Sequence, residues 1–224
     1  MSLLGNRDGV PSEDPVQRFR HFLKNLNTKW IMMTYPFANK VDKQSIHYSV
    51  QLSRREAQRI YLGNYVQLHA DVWINIEADP AVKGDPALVM EDGVVIGRRG
   101  MISVKNGVHL ERDVITGPGV LIMDHNHAYE DVSRSIKMQG VTEGGRIRVG
   151  QGSWIGFNAS IVCSQGELVI GEHCLIAANS VITRSFPAYS VISGNPARIV
   201  RQYDPVKEAW TLGSVQTISA EIAR

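Results

Sequence analysis

The sequence lacks several features that often reveal a function directly. Among its 224 residues only two are cysteines, Cys163 and Cys174, and their spacing predicts neither a disulfide framework nor a zinc site. The formal net charge of +2 gives no reason to expect a nucleic-acid partner. No apolar run approaches the roughly 20 residues that span a bilayer, and no secretory signal is recognisable. These absences predict a soluble, cytoplasmic protein without an integral membrane segment.

The N-terminal part has helical periodicity. Residues 1–13 show no period and are predicted to form a mobile leader. Asp14 is suited to cap a helix that has Pro15 at its first position. Apolar residues then follow at spacings of three and four, which predicts an amphipathic helix to about Met33 whose apolar stripe packs on a neighbouring surface: Phe19, Phe22, Leu23, Leu26 and Trp30. We assign this helix to an N-terminal helical and irregular segment, 14–58.

From Ile60 an apolar or small residue recurs at every sixth position. Neither a helical period nor simple alternation explains this phase, whereas short strands joined by turns do. Three such units would form a triangular coil of about 18 residues, and the coils would stack at about 4.8 Å. A β-sandwich is the weaker alternative, because it predicts turns at about eight- to twelve-residue intervals. The repeat positions are Ile60, Val66, Val72, Ala78, Gly84, Met90, Ile96, Ile102, Val108, Val114 and Val120.

A polar segment, 123–148, interrupts the repeat and begins with an aspartate and two histidines. The repeat resumes at Val149 in a new phase, and Arg184-Ser185-Phe186-Pro187 is expected to end it, because proline cannot donate to a further strand. The predicted β-helix domain is therefore 59–203, with the 123–148 insertion as its active-site loop. A short helical tail, 204–224, is predicted to cap the open end.

Three ordered sequence blocks resemble the hexapeptide-repeat acyltransferases: Trp154-Ile155-Gly156, Ile176-Ala177-Ala178-Asn179-Ser180-Val181-Ile182-Thr183 and Gly194-Asn195-Pro196-Ala197-Arg198. Within that family the chain is most similar to sugar O-acetyltransferases of the galactoside/maltose and polysaccharide-biosynthesis types. The resemblance implies an all-β fold, a left-handed parallel β-helix. It also implies a homotrimer, acetyl-CoA as the donor, and active sites between subunits.

Acetyl transfer from a thioester to an alcohol requires a group that removes the hydroxyl proton. Histidine suits this task near neutral pH, and His125 matches the family's catalytic histidine. His127 is the competing candidate and is expected to contact the acceptor. We expect Asp124 to meet a sugar hydroxyl or a turn amide, and a backbone carbonyl to orient the His125 ring. No serine or cysteine nucleophile stands beside a base, which favours direct transfer in a ternary complex.

The resemblance also implies positions for the donor. A backbone N–H at Gly156-Phe157 would stabilise the oxyanion, and Trp154 would line the cleft or pack on the next subunit. Small residues would lie along the pantetheine, and arginines would meet the CoA phosphates. These residues are Ala178 and Thr183 for pantetheine, and Arg198 and Arg201 for phosphate.

The sequence therefore predicts an O-acetyltransferase that acts on a sugar or a polysaccharide precursor, without a metal. One alternative is an acetyltransferase for a non-sugar alcohol such as an antibiotic. Another is a zinc enzyme similar to the γ-type carbonic anhydrases, with His109, His125 and His127 as its candidate ligands. A scaffold protein without activity is a third possibility.

Overall fold

The computed structural model describes residues 14–39, 41, 43–77 and 85–212. One α-helix, α1 (Pro15–Thr34), precedes twenty short strands, numbered in chain order as β1 to β20 within these residues. The leader predicted at 1–13 lies outside the described residues.

The strands form three sheets, which are the three sides of a triangular solenoid. The first sheet contains β1 (Ser45–Ile46), β4 (Gln67–Leu68), β7 (Val95–Ile96), β10 (Ile115–Thr116), β13 (Trp154–Ile155), β16 (Leu175–Ile176), β18 (Ser190–Gly194), β19 (Ala197–Asp204) and β20 (Ala209–Leu212). The second contains β2 (Gln51–Leu52), β5 (Trp73–Ile76), β8 (Met101–Val104), β11 (Leu121–Met123), β14 (Ser160–Val162) and β17 (Val181–Ile182). The third contains β3 (Ile60–Leu62), β6 (Leu88–Met90), β9 (Gly107–Leu110), β12 (Gly144–Val149) and β15 (Gln165–Ile170).

The six-residue repeat is the source of the solenoid core. Every repeat position within the described residues is buried, and most sides contribute a second inward residue two positions away. Successive coils pair in parallel, as Ile74 with Ile102 and Ile102 with Ile122, so identical side-chain types stack along the axis. The predicted parallel β-helix is confirmed.

The coils are longer than the predicted 18 residues. Val95 pairs with Ile115 and Trp154 with Leu175, twenty and twenty-one residues further along. The additional residues lie at the corner between the second and third sheets, for example Lys105-Asn106 between β8 and β9. We call this the wide corner. The corner between the first and second sheets, here the tight corner, is a short turn with positive φ at Asp71, Arg99, Gly119, Asn158 and Asn179 in successive coils. The wide corner is where loops enter the fold.

Coils begin earlier than the 59–203 assignment. Strands β1 and β2 form parallel pairs with the next coil inside the segment 14–58, which the sequence resolved only as helical and irregular. Ile46 and Leu52 keep the six-residue spacing, but the turn and short 3-10 helix (Ala57–Arg59) that follow put them out of phase with Ile60.

Helix α1 covers the open edge of the first coil. Its predicted N-cap is confirmed, since Asp14 Oδ1 accepts from Val16 N–H at 3.0 Å. The Thr28 hydroxyl accepts from Ile46 N–H (2.9 Å), and its proton is shared between Lys24 C=O (2.9 Å) and Ile46 C=O (3.1 Å). Asn27 Nδ2 also donates to Ile46 C=O (3.3 Å), so the unpaired edge of β1 is satisfied. The helix turns Thr28 and Ile31 inward. The predicted apolar stripe does not pack on the protein: Phe19, Phe22, Leu26 and Trp30 are all exposed.

Substitution Thr28→Val is expected to lower the free energy of unfolding by about 1–3 kcal/mol, because it leaves the buried N–H of Ile46 unpaired. Thr34→Val is the matched control, since its exposed hydroxyl bonds only Trp30 C=O in its own helix. Urea denaturation of both variants measures the difference. Equal midpoints would show that the edge bonds contribute nothing to stability.

The C-terminal end differs from the predicted helical tail. After Pro187 the chain adds β18 in parallel to β16 and then reverses into β19 and β20, which pair antiparallel. Proline ends only the third side of the stack, where Phe186 still bridges Ile170. The antiparallel strands close the first sheet. Residues 213–224 of the predicted tail lie outside the described residues.

Within the part of the chain that the structure describes, no helix combines the length and hydrophobicity needed to cross a bilayer.

Candidate active site

Asp124 lies at the wide corner, directly after β11, and its side chain is completely buried. Its carboxylate accepts three backbone N–H groups from the turn of the preceding coil: Lys105 to Oδ1 (2.7 Å), and Asn106 (2.8 Å) and Gly107 (2.7 Å) to Oδ2. Backbone donors of this kind compensate the burial of a negative charge. Of the two partners expected for Asp124, a sugar hydroxyl or a turn amide, the structure shows the turn amides, and the carboxylate oxygens face the protein.

His125 is the one ring that this carboxylate holds. His125 Nδ1 lies 2.9 Å from Asp124 Oδ1, and the residue is 5% exposed. A carboxylate can only accept, so Nδ1 carries the proton and the lone pair is on Nε2. Nε2 makes no hydrogen bond to a described residue and is not sealed from solvent. The orienting group is thus the neighbouring carboxylate and not the backbone carbonyl that we expected. The strand ends at this point, and the chain turns outward, which lets adjacent side chains meet.

The loop between β11 and β12 is fixed at its base. Asn126 N–H donates to Thr142 Oγ1 (3.1 Å), and Asn126 C=O accepts from Thr142 N–H (2.7 Å). Lys105 Nζ donates to Thr142 C=O, and Asn126 Nδ2 donates to Ser164 Oγ on the next coil (2.8 Å). The two ends of the loop are therefore tied to each other and to the coils on both sides. This frame keeps His125 in place.

Gly144 closes the same frame, with a φ of +76°. A Cβ there would lie 2.7 Å from Asp124 C=O and 3.3 Å from His125 Cβ. Gly144→Ala is therefore expected to destabilise the protein by about 1–3 kcal/mol more than a strain-only control, through overpacking, and to lower any His125-dependent activity.

Gly140→Ala provides that control within the same loop. Its φ of +78° imposes the same backbone strain, but a Cβ there has nothing within 4 Å. Thermal unfolding of both variants measures the difference, and similar stabilities would mean that the pocket around Gly144 relaxes freely.

Several residues predicted for the donor lie at the tight corner. Gly156 is buried, and a Cβ on it would lie 2.7 Å from Ala178 N. Phe157 is 51% exposed, its C=O accepts from Asn179 N–H (2.9 Å), and its own N–H makes no hydrogen bond to a described residue. Ala178 is exposed one coil above it. The structure therefore brings Gly156, Phe157 and Ala178 together.

The other predicted donor residues lie elsewhere. Thr183 follows β17 at the wide corner, in the same outward row as Met123 and Val162. Arg198 and Arg201 are exposed on β19 beyond the last parallel strand, and neither forms an ion pair with a described residue. Within one copy, these residues do not form a single cluster with the tight-corner group.

The remaining candidates are on the surface. Trp154 points outward from the first sheet between Ile115 and Leu175 and is 47% exposed. His127 is exposed in the loop, with Nδ1 3.4 Å from Gly140 C=O. Sequence reasoning missed the turn at Lys105-Asn106-Gly107, whose N–H groups hold Asp124. The Asn-Gly pair was a visible turn signal, but its partner lies one coil away.

The candidate zinc ligands are not brought together in one copy. His109 lies on the outer face of the third sheet and bonds Glu91 through Nε2 (2.7 Å), while His125 Nδ1 faces Asp124. Within the described residues no group of three or more His, Cys, Asp or Glu side chains is arranged to hold a metal ion.

Comparison with known proteins gives sequence relatives that are acetyltransferases by name. The chain is 27% identical over 152 residues to the candidate acetyltransferase Rv3034c of Mycobacterium tuberculosis, covering 63% of this chain and 49% of that one. It is 27% identical over 133 residues to WbbJ of Escherichia coli K12, a candidate lipopolysaccharide-biosynthesis O-acetyltransferase, covering 57% and 66%. The chain thus spans about half of the first relative and just under two thirds of the second. No family model matches it.

Among solved structures, the chain is similar to AntD, an N-acyltransferase from Bacillus cereus. A variant of AntD in complex with dTDP-4-amino-4,6-dideoxyglucose and coenzyme A superposes with a TM-score of 0.65 at 13% identity, over 80% of this chain and 91% of that one. This likeness concerns the fold. The stacked coils and this likeness show the left-handed parallel β-helix fold, and the sequence relatives show that the chain is similar to acetyltransferases.

Proposed function

We propose that the chain is an acetyl-CoA-dependent O-acetyltransferase whose acceptor is a sugar or a sugar-containing precursor. The observation that carries this proposal is His125, held by a buried carboxylate through Nδ1 at 2.9 Å with Nε2 left unpaired. The acetyltransferase relatives support the reaction class. The sugar nucleotide and coenzyme A bound by AntD support the substrate classes.

In this mechanism His125 Nε2 takes the proton of the acceptor hydroxyl as its oxygen attacks the thioester carbonyl carbon. The imidazolium that forms is stabilised by Asp124, whose negative charge is fixed by the turn N–H groups of the preceding coil. The tetrahedral oxyanion collapses with cleavage of the C–S bond. The departing CoA thiolate takes the proton back from Nε2, so the enzyme returns to its starting state.

The His125–Asp124 pair favours a hydroxyl over an amine as the acceptor. A hydroxyl is a weak nucleophile until its proton leaves, so it gains most from a base in the transition state. A neutral amine attacks through its own lone pair and loses its proton afterwards. The buried Asp124 carboxylate accepts from the His125 ring and from three backbone N–H groups. A ring held in this way is suited to removing the proton of a hydroxyl. The name of WbbJ agrees with this choice, whereas AntD is named as an N-acyltransferase.

The Phe157 N–H is our proposed oxyanion donor, since it is unpaired within the described residues and stands at an exposed turn. Ala178, stacked on it, leaves room for an extended pantetheine. Arg198 and Arg201 are proposed to meet the CoA phosphates, as exposed guanidinium groups without carboxylate partners in the described residues. A backbone donor of this type commonly contributes about 10²–10³-fold in turnover.

Two further features favour a homotrimer. His125 lies at the wide corner and Phe157 at the tight corner, so a second copy is needed to bring base and oxyanion donor together. The outward rows of the first two sheets contain apolar columns, bounded by Gln67 on the first and by Gln51 and Ser160 on the second, while the third sheet carries ion pairs such as Arg148–Glu111. A head-to-tail ring of three copies would cover the apolar columns. These columns are Val95, Ile115, Trp154, Leu175 and Val191 on the first sheet, and Trp73, Met101 and Leu121 on the second.

The test is incubation of the purified full-length protein with acetyl-CoA and a panel of free sugars, sugar nucleotides and amino sugars. Mass spectrometry would detect the gain of one acetyl group. Treatment of the product with hydroxylamine would distinguish the two bond types, since it cleaves an O-acetyl ester and spares an N-acetyl amide. A hydroxylamine-resistant product would replace O- by N-transfer. Absence of any acetylated product, with no CoA released, would contradict the proposal.

A further inference from the structure

A cavity of about 590 Å³ lies at the beginning of the solenoid, away from the His125 loop. Helix α1 forms one wall with Arg20, His21 and Lys24, and the first three tight corners form the other. The volume falls within the range typical of small-molecule sites, about 300–1,000 Å³. The corner and sheet residues that line it are Ser45, His47, Tyr48, Ser49, Gln67, Leu68, His69, Ala70, Asp71 and Arg98.

The cavity carries an excess of positive charge. Arg20, Lys24 and Arg98 face it, and none of the three forms an ion pair with a described residue. Asp71 is the one carboxylate among the lining residues, so at least two positive charges are not balanced. Side chains of the α1 wall and of the third coil thus converge on the same space from opposite sides.

The effect of these cations reaches the histidines inside. Burial lowers the pKa of His69, and the charges of Lys24 and Arg98 lower it further. Burial likewise lowers the pKa of His47, where Asp71 opposes the shift and Lys24 and Arg98 add to it. Burial is the main cause of both shifts, and the contributions of Lys24 and Arg98 show that these two cations act on the space in which an anion would lie.

The position of the cavity relates it to the proposed reaction. It opens on the same tight-corner column that carries Phe157 and Ala178 further along the solenoid. Arg98 is two coils before Phe157, which corresponds to about 10 Å at the usual strand spacing. The coil between them, the fourth, carries His125 at its other corner. Along the solenoid axis, the cavity therefore lies before the coil that carries His125, and the residues proposed to bind the donor lie after it.

We propose that this cavity binds the phosphate or diphosphate group of the acceptor, with Arg98, Lys24 and Arg20 as its cationic contacts. The link to the acceptor rests on the proposed acetyltransferase function; the anion site itself does not. The Ser45 hydroxyl supplies a further donor, and Tyr48, half exposed beside His47 with ring centroids 4.0 Å apart, offers a flat surface for a ring of the ligand.

The first experiment is calorimetric titration of the full-length protein with inorganic pyrophosphate. We expect saturable binding that weakens about tenfold or more in Arg98→Gln and in Lys24→Gln, since each loses a charge-assisted contact. Arg99→Gln and Lys29→Gln are matched controls from the same turn and helix that do not line the cavity. No binding to the wild type, or equal losses in the controls, would overturn the inference.

The second experiment separates this inference from the proposed function. In the acetyl-transfer assay, Arg98→Gln should raise KM for phosphorylated acceptors about tenfold and leave kcat and KM for acetyl-CoA unchanged. Transfer activity without pyrophosphate binding would overturn the anion site and leave the function standing. Binding without any transfer would overturn the link to the acceptor.

Two sources of the diphosphate are distinguished by competing probes. Displacement of pyrophosphate by dTDP but not by geranyl diphosphate would assign a nucleotide-borne group. The reverse would assign a lipid-borne group, and displacement by neither would contradict a diphosphate ester as the ligand.

Discussion

Replacement of His125 by alanine is expected to lower kcat for acetyl transfer by about 10²–10⁴-fold, the contribution typical of a general base. KM for acetyl-CoA should change little, because the residues proposed to bind CoA lie on other elements. The fold should persist, since Asp124 keeps its three backbone N–H donors when the ring is removed. Steady-state release of CoA, measured with a thiol reagent, checks the rate, and circular dichroism checks the fold.

His109→Ala is the matched control for this loss. That ring is exposed on the third sheet and bonds only Glu91 among the described residues, so its removal should leave kcat within about twofold, as is usual for surface substitutions. His127→Ala separates the two loop histidines. If kcat fell in His127→Ala and survived in His125→Ala, the base would be His127. If it survived in both, neither histidine would be the base.

Substitution Asp124→Asn is expected to lower the free energy of unfolding by about 3 kcal/mol, the upper end of the range for leaving buried hydrogen-bonding groups unpaired, and to lower kcat by about 10²-fold or more. The amide has two orientations, and each is unfavourable. If its NH₂ faces Asn106 and Gly107, donors oppose donors. If its NH₂ faces His125, it donates to Nδ1 and moves the ring proton to Nε2, which then has no lone pair for the hydroxyl proton.

The matched control for this second prediction is Asp131→Asn. Asp131 also accepts from a backbone N–H and a hydroxyl, both of Ser133, and these bonds lower the pKa of its carboxyl, but it is exposed. Its replacement should have little effect on stability. Denaturation midpoints give the stability difference, and kcat at a temperature where the variants are folded gives the catalytic one. Loss of stability with full kcat would make Asp124 purely structural.

Much of the fold followed from the order of side chains alone. A six-residue spacing from Ile60 to Val120 predicted stacked short strands, and the helix from Pro15 followed from its cap and its apolar spacing. Coil length did not follow. Most sides have two inward residues two positions apart, so the additional residues at the wide corner leave the six-residue step on an inward position. The tail was predicted as a helix from a weak pattern, but Ala209–Leu212 is a strand, since β19 offers it a free edge.

For the candidate site too, one part was predicted from the sequence and another part was not. His125 was found from sequence because an interruption of a regular repeat is visible in one dimension. Its partner was assigned incorrectly, because consecutive residues of an extended strand point to opposite faces. Only the outward turn of the chain after β11 lets the Asp124 carboxylate reach the ring.

The sequence by itself determined the repeat and the N-terminal helix, and it pointed to His125 as the candidate base, since each depends on residues close together in the chain. Tertiary structure decided what holds the His125 ring and what surrounds the positively charged cavity. The N–H groups of Lys105, Asn106 and Gly107 meet Asp124 only because one coil lies on the next. His69 and Arg98 lie together for the same reason, because coils stack at about 4.8 Å, and Lys24 joins them because α1 forms the other wall of the cavity.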